Sequence, residues 1–85
     1  MSKALLPEEQ RERTLHAIDA AGLTLPDIWI RYFSISGNAD EFDLDAYLHG
    51  LASLQQLDRD LVSHAVNELI MQAPTPPTAP YSDGL

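Results

Sequence analysis

The segment from Leu25 to Ile35 constrains the fold most, because it is too apolar for an ordinary surface helix. On a helical wheel at about 100° per residue, Asp27, Arg31 and Ser34 form its narrow polar stripe. The apolar arc covers roughly 220° of the circumference, whereas a surface helix needs a stripe of about 100°. A chain of 85 residues has little core in which to hide such a face. The segment is therefore predicted to be a central helix, a partner surface, or both.

The length leaves room for one small domain. Helical periodicity without strand alternation predicts an all-α fold, a small four-helix, bundle-like orthogonal domain over residues 1–72. Residues 73–85 hold four of the six prolines and are predicted to be a disordered Pro-rich tail. Its Pro-x-x-Pro spacings could dock in aromatic grooves, but a linker or solubilising role explains them equally.

Helix boundaries follow from capping signals. The first helix is predicted from Pro7 to Ala21 with a stop at Gly22. The second is capped by Thr24 and ends at Gly37-Asn38.

The third and fourth helices are read from their apolar spacing. The third carries Leu44, Tyr47, Leu48 and Leu51, and begins at Asp43 or earlier, at Asn38 or Asp40. The fourth is predicted from Arg59 to about Gln72, because Asp58 would point into its apolar face and is better placed as the N-cap.

Composition disfavours several classes of function. The formal net charge is −8, with 13 acidic and 5 basic residues, so nucleic acids and anionic membranes would be repelled. Such a balance favours a basic protein partner instead. No signal peptide, membrane span or cysteine is visible, and the cytoplasm is the expected compartment.

Metal and cofactor signals are faint. The Phe33–Leu48 region has the rhythm of an EF-hand, but Ile35 and Ala46 would occupy positions that need acidic ligands, which argues against calcium. Two i, i+4 carboxylate–imidazole pairs, Glu12 with His16 and His64 with Glu68, lie on outward faces that would not converge. No metal and no cofactor is expected.

The fourth helix could be mistaken for the reading helix of a helix-turn-helix protein. Its outer face offers Arg59, Asp60, Ser63, His64, Asn67 and Glu68. One arginine against two acids is poor chemistry for a DNA groove. No phosphate loop, nucleophile elbow or buried carboxylate pair is present either, so the chain is not expected to be an enzyme.

The apolar second helix provides the candidate site. The favoured interpretation is that the helix forms the core around which the other three pack, through Ile28, Trp29, Tyr32 and Phe33. The alternative is that part of the arc, Trp29 with Phe33 or Ile30, reaches solvent as a binding patch, because aromatic side chains are favoured interface anchors. Both can hold on different sides of one helix. An acidic cluster from Asp40 to Asp45 would steer a basic partner. The candidate partner-binding residues are Trp29, Ile30, Tyr32, Phe33, Asp40, Glu41 and Asp43.

Three motifs carry a resemblance to a known group. They are the segment Leu23 to Phe33 with its Leu-Pro-Asp and Arg-Tyr-Phe triplets, the run Asp45 to Leu51, and the run Arg59 to Glu68. Over residues 8–70 this pattern resembles small uncharacterised actinobacterial helical proteins of a regulatory type. The resemblance implies a cytosolic accessory or signalling module and no particular activity.

Together these observations predict a non-catalytic protein–protein interaction or regulatory module, with a homodimer left open. One alternative is a helix-turn-helix-derived transcription regulator. Another is a metal- or small-ligand-binding helical bundle.

Overall fold

The computed structural model describes residues 6–72. They form four α-helices, α1 (Pro7–Ala21), α2 (Leu25–Ser34), α3 (Glu41–Leu48) and α4 (Gln56–Gln72). No strand occurs in this range, which confirms the all-α, four-helix prediction. The predicted tail, residues 73–85, lies outside the described part of the chain.

The helices α1, α2 and α3 end in the same way. At each of these ends, a backbone N–H group beyond the helix donates a hydrogen bond to the carbonyl of the residue five positions earlier, as in a Schellman motif. These hydrogen bonds are Leu23 N to Ile18 O (3.1 Å), Gly37 N to Tyr32 O (3.0 Å) and Leu51 N to Ala46 O (2.8 Å). The motif needs one left-handed residue, which is glycine after α1 and α3 (Gly22, φ 68°; Gly50, φ 76°).

The end of α2 departs from that rule. Its left-handed residue is Ser36, with φ 87°, and the glycine follows one position later. Gly37 is buried against the Tyr32 ring, and a Cβ at this position would overlap the ring atoms. The last helical residue is Ser34, earlier than the predicted Gly37-Asn38 end, because Ser36 takes the left-handed position and Gly37 packs against Tyr32.

Asp40 is the residue that caps α3, so of the three predicted starts, Asn38, Asp40 and Asp43, the middle one is observed. Its carboxylate accepts a hydrogen bond from the N–H of Asp43 (2.8 Å). Three residues of the predicted apolar stripe of this helix are buried, namely Leu44, Tyr47 and Leu48. The fourth, Leu51, is not. That residue lies beyond the helix end and is 81% exposed.

The start of α4 corrects the prediction for Asp58. The helix begins at Gln56, so Asp58 lies in its first turn and is not the N-cap. As the prediction assumed for a helical Asp58, its carboxylate points inward. There, however, it accepts a hydrogen bond from the Tyr32 hydroxyl (2.9 Å). This partner removes the penalty on which the prediction relied.

The core forms where all four helices meet. Helices α1 and α2 each pack against both α3 and α4, but no Cα pair of α1 and α2 lies within 8 Å. No Cα pair of α3 and α4 lies within 8 Å either, so α1 lies diagonally across the core from α2, and α3 lies diagonally across it from α4. The buried apolar residues are Ile18, Ile28, Tyr32, Leu44, Tyr47, Leu48, Val62, Ala65 and Val66.

Candidate interaction surface

Contacts on both flanks fix the rotation of α2 about its axis. On one flank, Arg31 forms an ion pair with Glu68 of α4 (3.2 Å). On the other flank, the indole Nε1 of Trp29 donates to the carbonyl of Ala39, just before α3 (3.0 Å). Between these flanks, Ile28 turns inward and is 1% exposed. The opposite side of the helix must therefore face away from the protein.

That opposite side is apolar. Ile30 is 61% exposed and Phe33 is 59% exposed, and Pro26 is exposed beside them. The half-buried Trp29 borders this group, and its ring stacks on Phe33 with centroids 5.3 Å apart. We call Pro26, Trp29, Ile30 and Phe33 the outer α2 surface.

The arrangement of α1 explains why this surface stays open. Helices α3 and α4 pack against α2, whereas α1 has no Cα within 8 Å of α2 and therefore does not cover this surface. The sequence favoured Phe33 as a core residue and left open whether the face around Trp29 and Ile30 is covered. In the structure both Ile30 and Phe33 are exposed.

Tyr32 requires a correction, because it was included among the partner-binding residues. Its side chain is 0% exposed and lies in the core. Its hydroxyl donates to Asp58 and accepts from the backbone N–H groups of Asn38 (3.1 Å) and Ala39 (2.8 Å). Burial raises the pKa of Tyr32, and the neighbouring Asp58 raises it further. Tyr32 therefore joins α2, the 38–40 loop and α4, and offers nothing to a partner.

The acidic residues lie at the start of α3, next to the loop that Trp29 contacts. Asp43 is exposed and Glu41 is half-buried, while Asp40 is exposed but engaged in capping. Asp45 pairs with His49 (3.2 Å). The acids in the first turn stabilise α3, because a helix dipole favours negative charge at its N-terminus. Asp40, Glu41 and Asp43 also leave negative charge there that no basic side chain of residues 6–72 neutralises.

Phe42 was missed by the sequence analysis. It is 78% exposed in the first turn of α3, between Glu41 and Asp43. The helical wheel contains the signal, because Phe42 falls about 160° from Leu44 and thus opposite the buried face.

The face of α4 considered for DNA reading is largely occupied by contacts within the protein. Arg59, expected outside, is half-buried and its guanidinium donates to Gln10 and to the carbonyl of Leu54. Ser63 is half-buried too and lies 3.1 Å from the Thr14 hydroxyl. The arginine that groove reading would need is therefore turned toward α1.

The two carboxylate–imidazole pairs do not form a larger cluster. His64 Nε2 lies 3.0 Å from Glu68, whose other oxygen receives Arg31. Glu12 and His16 are both exposed on α1. Across residues 6–72, no group of three or more acidic or histidine side chains is placed to hold a metal ion.

None of the four helices is both long and apolar enough to cross a bilayer, as far as the described residues extend. Comparison with protein-family models, curated proteins and solved structures gave no match. The resemblance to actinobacterial regulatory-type proteins therefore stays a prediction.

Proposed function

We propose that this protein is a non-catalytic protein–protein interaction or regulatory module that binds its partner through the outer α2 surface. The observation that carries the proposal is the exposure of Ile30 and Phe33 on a helix whose two flanks are held in place. The proposal assumes the cytoplasmic location and regulatory setting expected from the sequence.

The surface has the properties of an interface core. Burying a large apolar side chain completely contributes about 1.5–3 kcal/mol, and both Ile30 and Phe33 have more than half of their surface left to bury. Trp29 is already held by its hydrogen bond and by the Phe33 ring, so little side-chain entropy would be lost on binding. An exposed apolar patch with a fixed shape is a common feature of partner-binding sites.

Charge determines which partner fits. The chain carries a net charge of −8, and Asp40, Glu41 and Asp43 lie next to the loop that Trp29 contacts. A partner with an apolar groove and a rim of Lys or Arg would complement both features, and the charges would speed its approach. We therefore propose a basic protein partner.

The same charges argue against a second copy of this chain as the occupant. In a symmetric dimer, each outer α2 surface would bring its own acidic turn to the interface. Like charges brought together in this way oppose association. A homodimer is accordingly an outcome that the experiment below can detect, and not the proposed state.

Site-specific photo-crosslinking tests the proposal. A photoreactive amino acid replaces Ile30 in one variant and Phe33 in another, and the full chain is irradiated in cells of its source organism. The matched control replaces His16, an exposed residue of α1. We expect a discrete adduct with one basic protein from positions 30 and 33, and none from position 16.

Three results would contradict the proposal. Equal adducts from position 16 would show that capture is not specific to α2. The absence of adducts at positions 30 and 33 would remove the proposed interface. A product of twice the chain mass, formed by the purified protein alone, would identify the occupant as a second copy.

A further inference from the structure

A cleft to which α2 contributes no residue lies between α1, the end of α3, the loop that leads to α4 and the first turn of α4. It encloses about 370 Å³, which is within the usual range for small-ligand sites. Apolar and polar side chains both contribute to it. Its lining residues are Pro7, Glu8, Arg11, Tyr47, Gly50, Leu51, Ala52, Ser53, Leu54 and Arg59. We call it the Arg11–Arg59 cleft.

Two of the five basic residues in this acidic chain line the cleft. Both are held by backbone carbonyls, since Arg11 Nη1 donates to Leu48 O (3.0 Å) and Arg59 Nη1 donates to Leu54 O (2.8 Å). Arg59 Nε also donates to Gln10 (3.2 Å). Within residues 6–72 its Nη2 has no acceptor, so a fixed guanidinium keeps unused donors.

Tyr47 adds a second unused donor. Its side chain is 3% exposed, and its buried hydroxyl has no hydrogen-bond partner among residues 6–72. Such a group normally finds a partner, because leaving it unpaired destabilises the fold by about 1–3 kcal/mol. Burial raises the pKa of Tyr47, while Arg59 and Arg11 act in the opposite direction. The hydroxyl therefore stays protonated at neutral pH and remains a donor close to two cations.

We propose that the Arg11–Arg59 cleft binds a small molecule that carries an anionic oxygen group, either a carboxylate or a phosphate. The free Nη2 of Arg59 and the Tyr47 hydroxyl donate to the anionic oxygens. Leu51 and Leu54 contact an apolar body, for which Leu51 is 81% exposed and available. The site is independent of the outer α2 surface, so either proposal can fail alone.

Glu8 limits the affinity in this arrangement. Its carboxylate forms an ion pair with Arg11 at the edge of the cleft, and the hydrogen bond from Arg11 lowers the pKa of Glu8. A bound anion therefore competes with Glu8 for Arg11. Removing the Glu8 charge should strengthen binding, which is the opposite of what loss of a ligand-contacting residue would do.

Titration of the isotope-labelled full chain, followed by backbone amide NMR signals, tests the proposal. The probes are benzoate and phenyl phosphate, which differ in the anionic group. Benzamide is the uncharged control with the same ring. We expect saturable shifts of Gly50 to Leu54 with benzoate or phenyl phosphate, and weaker shifts with benzamide. The tighter of the two anions identifies the class of ligand.

Two substitutions should change the affinity for the anionic probe in opposite directions. Tyr47→Phe should weaken binding about tenfold or more, since a hydrogen bond to a charged group is lost, yet leave the melting temperature unchanged or higher. Glu8→Gln should tighten binding of the same probe. Asp19→Asn, which removes a carboxylate at the other end of α1, is the control and should change neither.

The opposite results are equally clear. Absence of saturable shifts with both anions up to about 10 mM would overturn the site, since no useful affinity would remain. Equal binding of benzamide would overturn the anionic requirement. Unchanged affinity in Tyr47→Phe would overturn the assignment of the Tyr47 hydroxyl as a donor to the ligand.

Discussion

Tyr32 and Tyr47 are both buried, yet their hydroxyl groups end up in opposite situations. That of Tyr32 makes three hydrogen bonds, to Asp58 and to two backbone N–H groups beside α3. That of Tyr47 makes none among residues 6–72, although Arg11 and Arg59 line the same cleft.

The surroundings of the two tyrosines differ in the same sense. Around Tyr32 the polar groups are paired, and the side chains that stay largely exposed are apolar, namely Ile30 and Phe33 on the outside of α2. Around Tyr47 it is polar donors that remain without acceptors. Exposed apolar surface favours a protein partner, whereas hydrogen-bond donors without acceptors favour an anionic ligand. The contrast separates two kinds of binding in one small domain.

The largest effect is expected from the two isoleucines on opposite sides of α2. Ile28→Ala removes buried methyl and methylene groups from the core and should lower the free energy of unfolding by about 2–5 kcal/mol. Ile30→Ala removes exposed groups and should change it by less than about 0.5 kcal/mol. Urea unfolding followed by circular dichroism measures both. If Ile28→Ala does not fold, Ile28→Val should still lose about 0.5–1.5 kcal/mol.

Exchange of each tyrosine for phenylalanine tests the comparison itself. Tyr32→Phe leaves Asp58 and two N–H groups without their partner and should cost about 2–4 kcal/mol of unfolding free energy. Tyr47→Phe removes a hydroxyl that has no partner and should be neutral or stabilising. Equal losses in the two variants, measured by the same urea unfolding, would mean that the hydroxyl of Tyr47 is paired in solution.

Neighbouring substitutions at the end of α2 should have opposite signs. Gly37→Ala forces a Cβ into the Tyr32 ring and should destabilise the fold by about 1–3 kcal/mol. Ser36→Gly relieves a left-handed backbone at φ 87° and should stabilise it by about 0.5–1 kcal/mol. Thermal unfolding of the two variants decides this. Stabilisation by Gly37→Ala would show that the ring does not pack as described.

The smallest effect is expected at alkaline pH. Burial raises the pKa of both Tyr32 and Tyr47 above the value of about 10 that tyrosine has in an unfolded chain. Their contribution to stability is present below pH about 10 and is lost as the pH rises from there toward the folded-state values. The urea midpoint should therefore fall between about pH 9 and pH 11. Tyr47→Phe should reduce this fall, and an identical fall would exclude Tyr47 as a source.

The helices were predictable because their signals are local. Thr24, Gly22 and the prolines near helix starts act within one turn, and the structure has α1 from Pro7 to Ala21 as predicted. The wide apolar arc of α2 did not decide which of its residues are core. The structure buries Ile28 and leaves Ile30 and Phe33 exposed.

The errors concern contacts between residues far apart in the sequence. Asp58 appeared unsuitable for an inward helical position because its partner, Tyr32, lies 26 residues earlier. Tyr32 was included among the partner-binding residues because its acceptor Asp58 lies in α4, and because the path of the loop that brings the N–H groups of Asn38 and Ala39 to its hydroxyl has no sequence signal. The Arg11–Arg59 cleft joins residues 48 positions apart, and no local pattern marks it.

The most direct test measures binding and stability in one charge-matched pair of variants. Ile30→Asp adds a carboxylate to the outer α2 surface, and His16→Asp adds one to the exposed face of α1. The partner is the protein isolated by crosslinking from position 30, and its Kd is measured with the purified full chain alongside urea unfolding. We predict a loss of affinity of about a hundredfold for Ile30→Asp, the order expected at an interface hot spot, with unfolding free energy close to wild type and His16→Asp unaffected. Unchanged affinity in Ile30→Asp, or equal losses in both variants, would contradict the account.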